Sequence, residues 1–259
     1  MAARIAYTAC PLCESPSIAE RKRADCTRHP LYRPALPATM IWKQCQTCAH
    51  VFTDGYFSPG DAEVVFSAIN DSQKLGNDIE RQRQVSARMV EKVLPYVTAG
   101  TWLDVGFGNG ALLLTAQEYG FTPVGTDLRA QNTAALKSIN IEAHACDISA
   151  LTLSQPCAVI SMADVLEHMP FPKDGLRAAH RLLADDGVLF ISMPNADSML
   201  WRILDVTEAN PYWGELEHYH NFGRTRLYAL LREMGFEPMR YGVSERYRAC
   251  MEVIAEKKR

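Results

Sequence analysis

The chain has 259 residues, of which 47% are hydrophobic and 22% charged, with a formal net charge of −3. That length can bury one substantial core and a small satellite module, and the mild acidity supplies no general attraction for nucleic acid or an anionic membrane. No apolar run reaches the roughly 20 residues of a membrane span, and the N-terminus lacks the apolar core of a signal peptide, so a cytoplasmic protein acting on a small molecule is expected.

The first sixty residues carry two C-x-x-C knuckles, Cys10/Cys13 and Cys45/Cys48. Such turns aim paired thiolates at one tetrahedral Zn²⁺, and a closed four-ligand site serves stability rather than catalysis. The 31 residues from 14 to 44 exceed the spacing of a compact ribbon and include Pro30, Pro34 and Pro37, so they must form a long excursion. Cys26, His29 and His50 are alternative ligands. The knuckle pair resembles the zinc-ribbon heads that precede many enzyme domains. Polar residues in "GYFSPGDAEVVFSAINDSQKLGND" suggest a linker, which divides the chain into a zinc-ribbon-like module over 1–60 and a larger domain over 61–259.

Residues 79–94 place Val85, Met89, Val90, Val93 and Leu94 on one helical stripe. Thereafter the pattern alternates: strand "TWLDV", a helix from Ala111, strand "TPVGTD", helix "QNTAALKSI", strand "IEAHAC", strand "CAVISM", helix "KDGLRAAHRLLA" and strand "GVLFISM". Alternation of this kind predicts an α/β fold, a parallel sheet with helices on both faces. Helix "TRLYALLREM" should end at Gly235, and strands near "EPMRYGV" and "RACMEVIAEK" should pair antiparallel at the sheet edge, giving seven strands. The stretch from Asn195 to Phe222, with Trp201, Trp213 and a His-rich end, fits neither period and suggests a lid or substrate wall.

"LDVGFGNG" follows the first strand of that alternation with Gly106, Gly108 and Gly110. Glycines there permit positive φ and let a ligand approach the backbone, at the strand ends where open parallel sheets bind ligands. Gly106-x-Gly108-x-x-Ala111 with Asp127 some 20 residues on satisfies the dinucleotide fingerprint, and a carboxylate at the end of the second strand suits the ribose of NAD and of S-adenosylmethionine equally. Asp104, two residues before the first glycine, favours the ammonium and sulfonium of S-adenosylmethionine over a pyrophosphate. Asp147 follows the third strand, where an adenine amino group could donate to it.

Taken in order, "LDVGFGNG", "VGTDL", "CDI", "VISMADVLEH" and "LLADDGVLFISMPN" resemble the class I S-adenosylmethionine-dependent methyltransferases, especially the branch acting on small molecules and sugars. The resemblance covers about residues 80–255 and implies a Rossmann-like, doubly wound sheet. It implies that Gly106, Gly108 and Gly110 cradle the methionyl part, that Asp104 helps fix its amino group, and that Asp127 and the adjoining Leu128 meet the ribose region. It places Asp147 and Ile148 at the adenine and Ala163 and Asp164 on the far side. Phe107, where many relatives carry a small or polar residue, either narrows the pocket or packs outward.

A hydroxyl acceptor requires a base, and His168, His218 and His220 are the candidates because imidazole is a usable base at neutral pH. His218 and His220 stand two apart, so in an extended segment only one should point inward, with Glu217 and Tyr219 as the matching alternatives. The expected activity is methyl transfer to a hydroxyl or carbon of a small molecule such as a sugar or other metabolite. The competing readings are an RNA methyltransferase, suggested by the basic "RKRADCTRHPLYR" and by zinc-headed enzymes of similar length, a nicotinamide oxidoreductase, and a non-catalytic binding protein.

Overall fold

A computed structural model of the chain describes residues 4–58, 60–62, 73–247 and 249–258. Residues 63–72 of the expected linker lie outside the described residues. The described residues form two compact units, one drawn from Met1–Ala68, Glu167–Pro172 and Pro194–Leu227, the other from Ile69–Leu166, Lys173–Met193 and Tyr228–Arg259. The division expected at residue 60 is thus simpler than the compact units, because two later segments fold with the N-terminal residues.

In the first unit, β1 (Arg4–Ala6) pairs antiparallel with β5 (Gly55–Phe57), and β2 (Ile18–Asp25), β3 (Thr39–Cys45) and β4 (Val51–Thr53) form an antiparallel sheet. A later strand, β11 (His220–Asn221), completes that sheet by pairing with β4 through His220↔Phe52 and Asn221↔Val51. Met40 and Trp42 of β3 are fully buried and share a cluster with Cys26, Leu36, Trp201, Trp213 and Tyr219. Trp42 Nε1 donates to the Trp213 carbonyl at 2.7 Å, so the indole buries its ring and still satisfies its one donor.

In the second unit, α1 (Ile79–Val93) buries Met89, Val90 and Val93 on one face, with Glu80 in its first turn and Lys92 in its last, both aligned with the helix dipole. Alternation follows as the sequence predicts: β6 (Gly100–Val105), α2 (Ala111–Glu118), β7 (Phe121–Thr126), α3 (Ala130–Ser138), β8 (Glu142–His144), β9 (Cys157–Ala163), α4 (Pro172–Leu182) and β10 (Leu183–Pro194). Two elements of the first unit, α5 (Met199–Val206) and β11, precede α6 (Arg224–Glu233), β12 (Phe236–Val243) and β13 (Cys250–Lys257). The seven strands lie in the order β12-β13-β10-β9-β6-β7-β8. The β6–β7, β6–β9, β7–β8 and β9–β10 pairs are parallel and β12–β13 is antiparallel. The central strands are almost wholly buried, as expected when both faces are covered, and Gly235 ends α6 with φ +83°.

The segment from 195 to 222 departs from the sequence reading by containing α5, capped by the Ser198 hydroxyl accepting from Trp201 N–H at 3.1 Å. Its apolar side chains do not mark a core-facing stripe: Met199, Ile203 and Val206 are 66%, 53% and 85% exposed while Trp201 is buried. Among the described residues no helix is long and apolar enough to cross a membrane.

Candidate active site

Gly106, Gly108 and Gly110 join β6 to α2 and all take left-handed φ, at +64°, +54° and +78°. A Cβ on Gly106 would approach Val165 Cγ2 to 2.9 Å and one on Gly110 would approach Leu75 Cδ1 to 2.6 Å, whereas over Gly108 the nearest atom is 3.9 Å away. The middle glycine therefore leaves its backbone open, and the outer two fold the turn tightly. Phe107 neither narrows this opening nor packs outward. Its ring turns into the core, where a Cβ on Gly125 of β7 would stand 2.7 Å from Phe107 Cδ1.

Acidic residues stand at or just beyond the C-terminal ends of four parallel strands. Asp104, buried within β6, accepts the Ser161 hydroxyl at 2.6 Å, and that hydroxyl in turn accepts Trp102 Nε1 at 2.8 Å. Burial pushes the Asp104 carboxyl up to about 7, against the Ser161 hydrogen bond and the nearby Arg246 charge, with Asp127 adding to the rise. Asp127, beyond β7, accepts Gly108 N–H at 3.3 Å and Arg129 through its N–H and Nε, each at 2.9 Å. Gly108 and Asp127, parts of one sequence fingerprint, are thus bonded to each other.

Asp147 follows β8 and accepts Ser149 N–H at 2.8 Å, which heads the short turn holding the buried Ile148. Ala163 ends β9, and Asp164 takes φ +56° and pairs with Arg246 at 3.2 Å. Leu128 is 67% exposed. Arg129 and Arg246 were not singled out from the sequence. The position of Arg129 two residues after Asp127 was the available signal, whereas Arg246 comes from the β12–β13 hairpin and needs the fold to be found.

The four knuckle cysteines converge, with Cys10 Sγ 3.7 Å from Cys48 Sγ and Cys13 Sγ 3.5 Å from Cys45 Sγ. Four thiolates each about 2.3 Å from one Zn²⁺ in a tetrahedron stand about 3.8 Å apart, so these residues fit that ion. The knuckles repeat one another: Glu14 N–H bonds the Cys10 carbonyl and Ala49 N–H the Cys45 carbonyl, at 2.9 and 3.0 Å. Burial opposes ionisation of Cys10, Cys45 and Cys48 and raises the thiols of Cys10 and Cys48, whereas at Cys45 the N–H groups of Cys48 and Thr47 outweigh it and lower the thiol. Cys26, His29 and His50 stand outside this group. Cys26 reaches the Ala24 carbonyl, His29 bonds Glu215, and His50 bonds His220.

The histidines are arranged differently from the extended-segment expectation, since His218 and His220 are both buried, at 7% and 1% exposure. A turn in which His218 N–H bonds the Glu215 carbonyl at 3.3 Å precedes β11, so the alternation of a strand does not reach His218. His220 donates Nε2–H to the Met169 carbonyl at 2.9 Å, and its Nδ1 accepts His50 Nε2–H at 3.0 Å. With both nitrogens engaged and burial holding it down to about 4, His220 is a packing residue.

His168 donates Nδ1–H to the Glu217 carbonyl at 2.9 Å, which leaves the lone pair of the neutral ring on Nε2. Its ring meets His218 edge to face at 4.6 Å, and one side-chain polar atom each of Glu167, His168 and His218 lie within 4.8 Å of one another. Burial first, then the neighbouring His168, His29 and His220, keeps His218 well below the usual imidazole range. Burial pushes Tyr219 up to about 12 and removes it as a base near neutral pH.

A seven-stranded sheet in this order, with a glycine turn after β6 and carboxylates after successive strands, defines a Rossmann-like methyltransferase fold. The fold is shared with 1,6-didemethyltoxoflavin-N1-methyltransferase of Burkholderia thailandensis, solved with 1,6-didemethyltoxoflavin and S-adenosylhomocysteine (TM-score 0.58, 18% identity, 81% of this chain and 96% of that one). It is shared also with magnesium protoporphyrin IX methyltransferase of Synechocystis PCC 6803, solved with bound SAH (TM-score 0.55, 16% identity, 73% and 90% of the two chains). Residues 79–240 match the methyltransferase-domain family model, and the chain belongs to that family.

Among curated proteins, the ubiquinone biosynthesis O-methyltransferase of Pseudomonas paraeruginosa is 31% identical over 103 residues, 37% of this chain and 44% of that protein. The enzyme of that name from Idiomarina loihiensis is 32% identical over 109 residues, 39% and 45% of the two. The matches span less than half the length of these relatives.

Proposed function

We propose that this protein transfers a methyl group from S-adenosylmethionine to a hydroxyl of a small molecule, and that Cys10, Cys13, Cys45 and Cys48 hold a structural Zn²⁺. The observation that carries the proposal is the bond between Gly108 N–H and Asp127 at 3.3 Å, which joins the open glycine turn to the carboxylate after the second parallel strand. Family membership and relatives named as O-methyltransferases support the reading.

When bound, S-adenosylmethionine supplies an activated methyl on a sulfonium. The turn at Gly106, Gly108 and Gly110 would cradle the methionyl part, with Asp104 for its ammonium. Asp127 would take the ribose hydroxyls once Arg129 yields its share of the carboxylate. Asp147, Ile148 and Leu128 would flank the adenosine, and Ala163 and Asp164 would close the remaining side. An ammonium beside Asp104 favours its ionised form, so binding below pH 7 would release a proton.

For proton removal from the acceptor, His168 is the base we favour, because Glu217 fixes the tautomer that leaves Nε2 as the acceptor atom. His218, packed edge to face on it, would assist, and Glu167 completes the group.

The test is transfer of isotopically labelled methyl from S-adenosylmethionine to separate panels of catechols, sugars and transfer RNA. Labelled catechol or sugar that is lost in His168→Ala supports the proposal. Labelled RNA alone, or no transfer to any panel, would overturn it.

A further inference from the structure

Zinc binding leaves the long excursion between the cysteine knuckles unexplained. After β2 the chain makes successive turns, with His29 N–H on the Cys26 carbonyl at 3.0 Å, Tyr32 N–H on the His29 carbonyl at 2.9 Å and Leu36 N–H on the Arg33 carbonyl at 2.8 Å. From this excursion His29, its side chain only 10% exposed, reaches the carboxylate of Glu215. Leu31 N–H donates to His29 Nδ1 at 3.2 Å, so the ring proton lies on Nε2 and faces Glu215. Glu217 and His218 are the other titratable groups that bear on His29.

Glu215 opens the turn that carries the histidine group. Its carbonyl accepts His218 N–H at 3.3 Å, and Tyr219 N–H at the far end bonds the Glu167 carbonyl at 2.8 Å. Between them the Glu217 carbonyl accepts His168 Nδ1–H at 2.9 Å. The turn from 215 to 219 is therefore tied at its start by a side chain of the knuckle excursion and at its middle and end by the Glu167–His168 pair.

We propose that His29 and Glu215 are positioning residues for methyl transfer: through the turn from 215 to 219 the excursion between the two knuckles sets the orientation and tautomer of His168 and the placement of His218. This rests on the reading above that His168 and His218 serve the acceptor. It gives the cysteine head a role in the chemistry, since its two knuckles hold the excursion at both ends while none of its residues needs to touch a substrate. A sugar, catechol or other hydroxyl acceptor would then meet a base whose geometry depends on a segment over a hundred residues away in sequence.

The experiment is two-bond ¹H–¹⁵N spectroscopy of the full chain with ¹⁵N-labelled histidine, in wild type, His29→Ala, Glu215→Ala and His29→Gln, with S-adenosylmethionine affinity measured alongside. In wild type His168 should show the Nδ1–H tautomer, and His50 and His220 the Nε2–H tautomer. Both alanine variants should lose the single His168 tautomer, each to the same extent, with His50 and His220 unchanged and cofactor affinity within twofold of wild type. His29→Gln, which keeps an N–H donor for Glu215, should restore the His168 pattern. An unchanged His168 in both alanine variants would overturn the proposal. So would loss of the His50 and His220 patterns together with it, since His29 would then merely hold the fold. Failure of wild type to bind S-adenosylmethionine would overturn the methyl-transfer reading instead, and it is read independently of the imidazole signals.

Discussion

Replacing Gly125 with alanine tests the contact that packs β7 against the turn after β6. The new Cβ would stand 2.7 Å from Phe107 Cδ1 and 3.0 Å from both Phe107 Cε1 and Leu136 Cδ1. Carbon atoms prefer about 3.5 to 4.0 Å, so the ring or the strand must give by close to about 1 Å. Neither moves freely, since Phe107 and Leu136 both belong to the closed core cluster. Overpacking of this kind costs about 1–3 kcal/mol, which at a urea dependence of about 2 kcal/mol per molar lowers the midpoint by about 1 M.

Urea unfolding followed by circular dichroism measures the shift, and Phe107→Leu in the same chain should recover much of it. The coupling between the two substitutions should then be about 1 kcal/mol or more, as for residues in direct contact. A Gly125→Ala midpoint equal to wild type, or a double variant whose losses simply add, would refute the packing argument and reopen the question of where Phe107 points.

Three further outcomes are expected. Asp104, held at about 7 in the folded chain by burial, should lower stability as pH rises from about 4, the unfolded value, through about 7, because the folded state retains a proton that the unfolded state releases; Asp104→Asn should flatten stability over that window in pH-dependent melting curves. The purified chain should carry one zinc ion by elemental analysis, and Cys45→Ser should lose it together with protection of β2 and β3 in amide hydrogen exchange. Gly106→Ala should cost about 1–3 kcal/mol in chemical unfolding, from its φ of +64° and the 2.9 Å approach to Val165, and wild-type stability in that variant would contradict the turn geometry.

The sheet was legible in the sequence because β6, β9 and β10 are buried on both faces and read as continuous apolar runs, with glycines where the chain must turn. The carboxylates at strand ends were legible for the same reason. Arg246 was not legible: it meets Asp164 only when β12 and β13 fold against the same sheet, a contact with no local signal. The strands of the N-terminal residues also escaped, since β2, "IAERKRAD", has no fully buried position and so lacks the alternation that marks a half-buried strand. Helix α5 presents much of its apolar surface outward, which hides it from a core-facing period, and the turn before β11 buries both His218 and His220 where strand alternation allows one.

The central claim, a site for S-adenosylmethionine built on Gly108 and Asp127, is tested most directly by calorimetric titration of S-adenosylmethionine and S-adenosylhomocysteine into wild type and Asp127→Asn, with NADH as control. Hydrogen bonds to a charged partner contribute about 1.5–3 kcal/mol, so the variant should bind both ligands about 10- to 150-fold more weakly while NADH binds neither protein. Equal affinity in the two proteins, or binding of NADH in preference to S-adenosylmethionine, would contradict the account.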